Sequence, residues 1–200
     1  VQSFWNDEGN SARLSERSIS LIIEGTASDI HPPLYYLMLN QWRKLVGDSE
    51  FGLRSLSLFA GLLTVPLTFV LAKKIQEHGV TQRRYRVTQR GGRGFWLGFV
   101  AAGLLAVNPG MVYYSQEARM YGLLGLWTVL ATVLLLRWVS VSGKRNWLWG
   151  GGYVLCAAAG LYTHYFFPAV LLAHNLFVLF KIVKSLPKPL TINNLPSTIK

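Results

Sequence analysis

A single cysteine, Cys156, stands in 200 residues, so no intramolecular disulfide can form and no redox compartment follows. Acidic side chains are scarce too. Nine Asp and Glu face twenty Lys and Arg, a formal net charge of +11. That surplus raises a nucleic-acid reading, which needs basic residues gathered on one soluble face among base-stacking aromatics. Here they lie between long apolar runs, so no nucleic-acid partner is expected. Val1 is not followed by a signal-peptide pattern. Internal repeats and low-complexity tracts are missing, apart from an echo of Thr81-Gln82-Arg83-Arg84 in Thr88-Gln89-Arg90.

Apolar sequence is what the chain has in quantity. Hydrophobic residues make up 51% and the mean hydropathy is +0.30, an unusual pairing with a net charge of +11 in a soluble domain. Five runs, at 52–72, 95–114, 120–139, 147–164 and 166–183, approach the roughly 20 residues that cross a bilayer. Asn108-Pro109-Gly110 interrupts the second, and only a tight turn near His164-Tyr165 parts the last two. Trp138, Trp147 and Trp149 fall at expected span ends, where interfacial aromatics belong.

Charge assigns the sides. Lys73, Lys74, Arg83, Arg84, Arg86, Arg90 and Arg93 fill the first inter-span loop; Arg137, Lys144 and Arg145 fill the third; Lys181, Lys184 and Lys188 follow the last span. The positive-inside rule makes these segments cytoplasmic. Residues 1–51 and the turns near 115–119 and 165 then face the exoplasm, with Asp7, Glu8, Glu16, Glu24, Asp29, Asp48, Glu50 and Glu117. The resulting plan is all-α: an exoplasmic loop at 1–51, a five-span transmembrane region at 52–183 and a cytoplasmic tail at 184–200. A long mixed segment at the start needs a preceding span or signal to cross, so a fragment lacking at least one span is expected.

The exoplasmic loop carries the polar chemistry. Helical spacing over 9–25 sets Ala12, Ile19, Ile22 and Ile23 opposite Arg13, Arg17, Ser20 and Glu24, with Gly25 as a stop. After Pro32-Pro33, Leu34, Leu37, Met38, Trp42 and Leu45 mark an amphipathic helix to Val46, too short to span and suited to the membrane surface. Asp7 and Glu8 are adjacent, and two carboxylates side by side repel, which raises one pKa unless a cation or metal intervenes. A solvated acidic turn is the plain alternative. Glu117 and Arg119 stand between two spans, where ionisable groups pair, hydrate or act. Arg119 has the planar fork that suits phosphate. His164 lies at the same level, and His174 and Asn175 read as inter-helix hydrogen-bonding groups.

In order, Trp5-x-Asp7-Glu8, Asp29-x-His31-Pro32-Pro33-Leu34-Tyr35-Tyr36, Ser49-Glu50-Phe51-x-x-Arg54, Asn108-Pro109, Tyr114-Ser115-Gln116-Glu117-Ala118-Arg119-Met120-Tyr121 and Tyr162-Thr163-His164-Tyr165 form a pattern. It resembles the GT-C membrane glycosyltransferases, in the branch related to dolichyl-phosphate-mannose protein mannosyltransferases and lipid A aminoarabinose transferases. The resemblance runs from residue 1 to about 183. It implies a multi-span fold that moves a sugar from a polyprenyl-phosphate carrier to a glycan, lipid or protein acceptor on the exoplasmic side. Asp7 matches the family's catalytic acid and Glu8 its neighbour; Asp29, His31, Glu117, Arg119 and His164 would bind substrate. Some members use a divalent metal, for which Asp7, Glu8, Asp29 and His31 offer ligands, and others do not, so metal dependence stays open. A non-catalytic remnant or subunit that binds lipid-linked glycan is the alternative. A transporter fits less well, because the ionisable residues sit in turns and not at mid-span.

The topology is directly testable. After Cys156→Ser, single cysteines at Ser28 and Thr88 should react with a membrane-impermeant maleimide from opposite sides. Labelling from one side would overturn the arrangement.

Overall fold

The computed structural model describes residues 6–28, 31–80, 90–140, 143 and 146–185. Among them are nine helices and no strand: α1 Asn6–Ser15, α2 Ile19–Ala27, α3 Leu34–Val46, α4 Glu50–Val80, α5 Arg90–Ala106, α6 Pro109–Ser115, α7 Tyr121–Ser140, α8 Asn146–Thr163 and α9 Phe167–Ser185. Asp29, the loop arginines 83, 84 and 86, Lys144, Arg145 and the tail beyond Ser185 lie outside the described residues.

Each of the five apolar runs is helical, but they are not equivalent. Three helices are long and apolar enough to cross a membrane: Glu50–Glu77 within α4, all of α7 and all of α9. The run at 95–114 is a bent pair, α5 and α6, broken at Val107-Asn108 with a 59° change of direction. Asn108 is the reason for the break. Its side chain accepts from the Met111 amide at 3.0 Å, capping a new helix whose first residue is Pro109. Helix α8 falls short of the same length-and-apolarity test, because Asn146, three consecutive glycines and terminal tyrosine and threonine dilute its leucine and valine. Three spans, or four with the bent pair, therefore replace the expected five by this measure. In α9 only 11% of the most apolar stretch is buried inside the protein, so a lipid environment accounts for that surface better than water.

Helix α4 is the axis of the bundle. It packs on α5 and α7, α7 packs on α8, and α9 rests more lightly on both α7 and α8. Gly122 makes the α4–α7 approach close, since an added Cβ there would lie 2.8 Å from the Ser57 carbonyl oxygen. Between α7, α8 and α9 a directed hydrogen-bond chain forms. Thr132 Oγ1 donates to the Thr128 carbonyl at 2.7 Å, so it accepts from His174 Nε2 at 3.0 Å. The Tyr153 hydroxyl lies 3.3 Å from Nδ1 of the same ring. Asn175, by contrast, donates within its own helix to Leu171.

Two local expectations are corrected. Residues 9–25 are not one helix but the end of α1 and most of α2, with Gly25 inside α2. The break near Glu16-Ser18 frees carbonyls that α3 satisfies: Asn40 Nδ2 donates to Ser15 at 2.8 Å and Arg17 at 3.1 Å, and Arg43 Nη1 donates to Ala12. That service turns α3. Its buried residues are Tyr35, Tyr36, Leu39 and Asn40, while Leu37, Met38 and Trp42 are half-buried and Leu45 is exposed.

The described acids are gathered in space as the sequence suggests, although Arg13, Arg17, Arg43, Lys44, Arg54 and Arg119 share their end. Helices α1 to α3 gather over the end of the bundle that holds the start of α4, the 116–120 turn and the α8–α9 turn. That end carries Asp7, Glu8, Glu16, Glu24, Asp48, Glu50 and Glu117. Lys73, Lys74, Arg137, Lys181 and Lys184 lie toward the other, with Glu77 bound to Lys74 at 2.6 Å.

Gly122→Val should force α4 and α7 apart and lower unfolding stability in detergent by about 1–3 kcal/mol, the usual cost of overpacking. Gly151→Ala, with nothing within 4 Å of the added carbon, should not.

Candidate functional site

The acid-rich end is assembled from three separate parts of the chain. Asp7 and Glu8 occupy the first turn of α1, where carboxylates favour the helix dipole. Arg54 lies one turn inside α4, and Glu117 to Arg119 form the turn between α6 and α7.

Glu8 is 1% exposed, and three donors from described residues converge on it. Arg54 Nε donates to Oε1 at 2.9 Å and Nη2 to Oε2 at 2.7 Å, a forked pair. The Ala118 amide donates to Oε1 at 2.8 Å. Glu50 stands at 4.0 Å on the far side of the guanidinium. A second bond from α4 holds the same turn, Ser57 Oγ donating to the Arg119 carbonyl at 2.8 Å.

Asp7 points the other way. Its side chain is 70% exposed, and Oδ2 meets Arg119 Nη1 at 2.5 Å. The two neighbouring carboxylates therefore each face a different guanidinium instead of one another. Arg119 does not pair with Glu117 through its side chain; only its amide reaches the Glu117 carbonyl, at 2.8 Å. Its Nη2 lies 3.4 Å from the Tyr121 hydroxyl, and its Nε is buried with no hydrogen-bond partner. Burial opposes the Arg119 charge, but Asp7 and Tyr121 outweigh it, leaving the guanidinium's pKa above its usual value.

Two clefts of about 240 Å³ each meet at this point. Asp7, Arg119, Tyr114 and Tyr121 line one, Phe51, Arg54, Ser55 and Leu58 the other, and both share Glu8, Tyr113 and Glu117. His164 is 1% exposed behind them, its ring 5.5 Å from that of Tyr121. Burial, with the charges of His31 and Arg119, holds its pKa below the ordinary histidine value, and its Nδ1 accepts from the Phe166 amide at 3.1 Å. His31 sits edge-on to Tyr165 at 6.5 Å. Neither histidine lines the two clefts.

Of the expected site residues, Asp7, Glu8, Glu117 and Arg119 thus come together, His164 and His31 form a neighbouring layer, and Asp29 lies outside the described residues. No cluster of three His, Cys, Asp or Glu side chains able to hold a metal occurs among the described residues. Arg54 lies between Glu8 and Glu50, and Arg119 beside Asp7. Arg54 was not singled out from the sequence as a site residue, nor were Tyr113, Tyr121 and Ser57. An arginine one turn inside an apolar run was the available signal, because such a charge requires a partner.

Set against known protein families, curated proteins and solved structures, the chain has no match.

Breaking the buried pair is expected to be costly. Arg54→Met leaves Glu8 with an uncompensated charge and should lower unfolding stability by about 3–5 kcal/mol. The double variant Glu8→Gln/Arg54→Met should recover much of that, a coupling that a double-mutant cycle in detergent would measure.

Proposed function

We propose that this chain carries the catalytic end of a membrane glycosyltransferase that moves a sugar from a polyprenyl-phosphate carrier to an acceptor hydroxyl on the exoplasmic side. One observation supports it most: an exposed carboxylate, Asp7, rests 2.5 Å from a largely buried guanidinium, Arg119, in a cleft at one end of apolar helices. The ordered motifs that resemble the GT-C enzymes add to it.

In this reading Asp7 accepts the proton of the acceptor hydroxyl, whose oxygen attacks the anomeric carbon. The bond from that carbon to the phosphate oxygen breaks, and the electron pair leaves with the lipid phosphate. Arg119 offsets the charge that builds there. Only one of its nitrogens is committed to Asp7, so donor capacity remains for phosphate oxygens. A phosphate drawing on the same guanidinium would loosen its hold on Asp7, coupling donor binding to release of the base. Glu8 holds the site's backbone, and the positive charge comes from arginine, so the reading routes no step through a metal. Glu117, between the two clefts, is placed to accept hydrogen bonds from substrate hydroxyls.

A non-catalytic subunit that binds lipid-linked glycan is the second reading. It is favoured by the fact that both acids already have arginine partners, as pure architecture would require.

A transfer assay in membranes, with a panel of polyprenyl-phosphate sugars, separates the two. Asp7→Asn should fold and bind donor yet lose roughly a hundredfold to ten-thousandfold in transfer. Arg119→Lys should keep part of the activity and Arg119→Ala less, through a raised KM or lower kcat/KM for the lipid donor. Near-normal transfer by Asp7→Asn would reject the base; donor binding without transfer by the unmodified protein would favour the second reading.

A further inference from the structure

The opposite end of the bundle holds a cation that no carboxylate among the described residues neutralises. Arg137 stands in the last turn of α7, its guanidinium carbon 4.6 Å from the centroid of the Trp149 ring on α8. Its Nε is buried and has no hydrogen-bond partner, and no carboxylate among the described residues pairs with it. The acid nearest that end in sequence, Glu77, is engaged by Lys74. Gly150 shapes the corner. A Cβ there would meet the Trp138 ring at 2.9 Å, so its absence lets Trp138 lie on α8, its ring 6.0 Å from that of Tyr153. Trp147, 71% exposed, extends the indole surface outward from the start of α8.

We propose that this α7–α8 corner binds the headgroup of an anionic phospholipid, with Arg137 taking the phosphate and Trp149 backing the guanidinium. Three features carry the assignment. A partly buried cation at the end of apolar helices needs an anion, and lipid phosphate is the anion at that depth. Stacking on indole fixes the guanidinium plane and leaves its outer edge as a fork for two phosphate oxygens. No carboxylate among the described residues offsets Arg137, so its full positive charge repels the cation of a zwitterionic headgroup and net negative headgroups are preferred. The site is independent of the chemistry at the acid-rich end.

Native mass spectrometry of the detergent-purified chain, offered equal phosphatidylglycerol and phosphatidylcholine of matched acyl chains, tests it. The unmodified protein should retain phosphatidylglycerol by about fivefold, the weight of one basic side chain near an anionic surface. Arg137→Gln should abolish the preference. Arg137→Lys keeps the charge that membrane insertion needs but neither stacks nor forks, so it should lose most of the preference; Lys73→Gln should leave it intact. Equal retention of the two lipids by the unmodified protein overturns the site. So does an unchanged preference in Arg137→Lys, or an equal loss in Lys73→Gln, because diffuse charge would then explain the binding.

Discussion

The forked bond between Glu8 and Arg54 is the contact on which the acid-rich end depends. A carboxylate at 1% exposure is tolerable because a guanidinium and an amide bond to it. Its three donors come from α4 and from the turn between α6 and α7, so one side chain joins three segments far apart in sequence. Ser57 reinforces the turn from the same helix. Glu117 and Arg119 owe their placement to this clamp, and Asp7 owes its exposure to being the next residue on the same short helix. A helix turns 100° per residue, so burying Glu8 directs Asp7 elsewhere.

Much of the large-scale plan was legible from residues. Long apolar runs, the Asn108-Pro109 interruption and the gathering of acids all reappear as helices, a bend and one end that holds every described acid but Glu77. These features depend on composition and local backbone chemistry, which a sequence states directly. The facing of α3 did not. Hydrophobic spacing put Leu34, Leu37, Met38, Trp42 and Leu45 on one side, yet Asn40 and Arg43 are drawn inward to serve carbonyls freed by the α1–α2 break. A demand set by another helix overrode the periodicity.

The candidate site was legible as a list of parts and not as an arrangement. Asp7, Glu8, Glu117 and Arg119 stood out as charges between apolar segments. Which arginine meets which acid was hidden, because Glu8 and Arg54 are 46 positions apart and Asp7 and Arg119 more than twice that. Adjacent carboxylates suggested mutual repulsion; a helix start gave each its own counter-charge instead. The same holds for His174, whose partners Thr132 and Tyr153 come from two other helices.

The clamp also has a consequence for the order in which the chain matures. Glu8 leaves the ribosome first, Arg54 follows, and the Ala118 amide arrives 64 residues after the arginine, roughly 3–13 s later at ordinary synthesis rates. During that interval the ion pair has no turn to hold, and α4 lacks its neighbour α7. The acid-rich end therefore closes late, as α7 takes its place, and the nascent chain carries a half-built polar knot at the membrane until then.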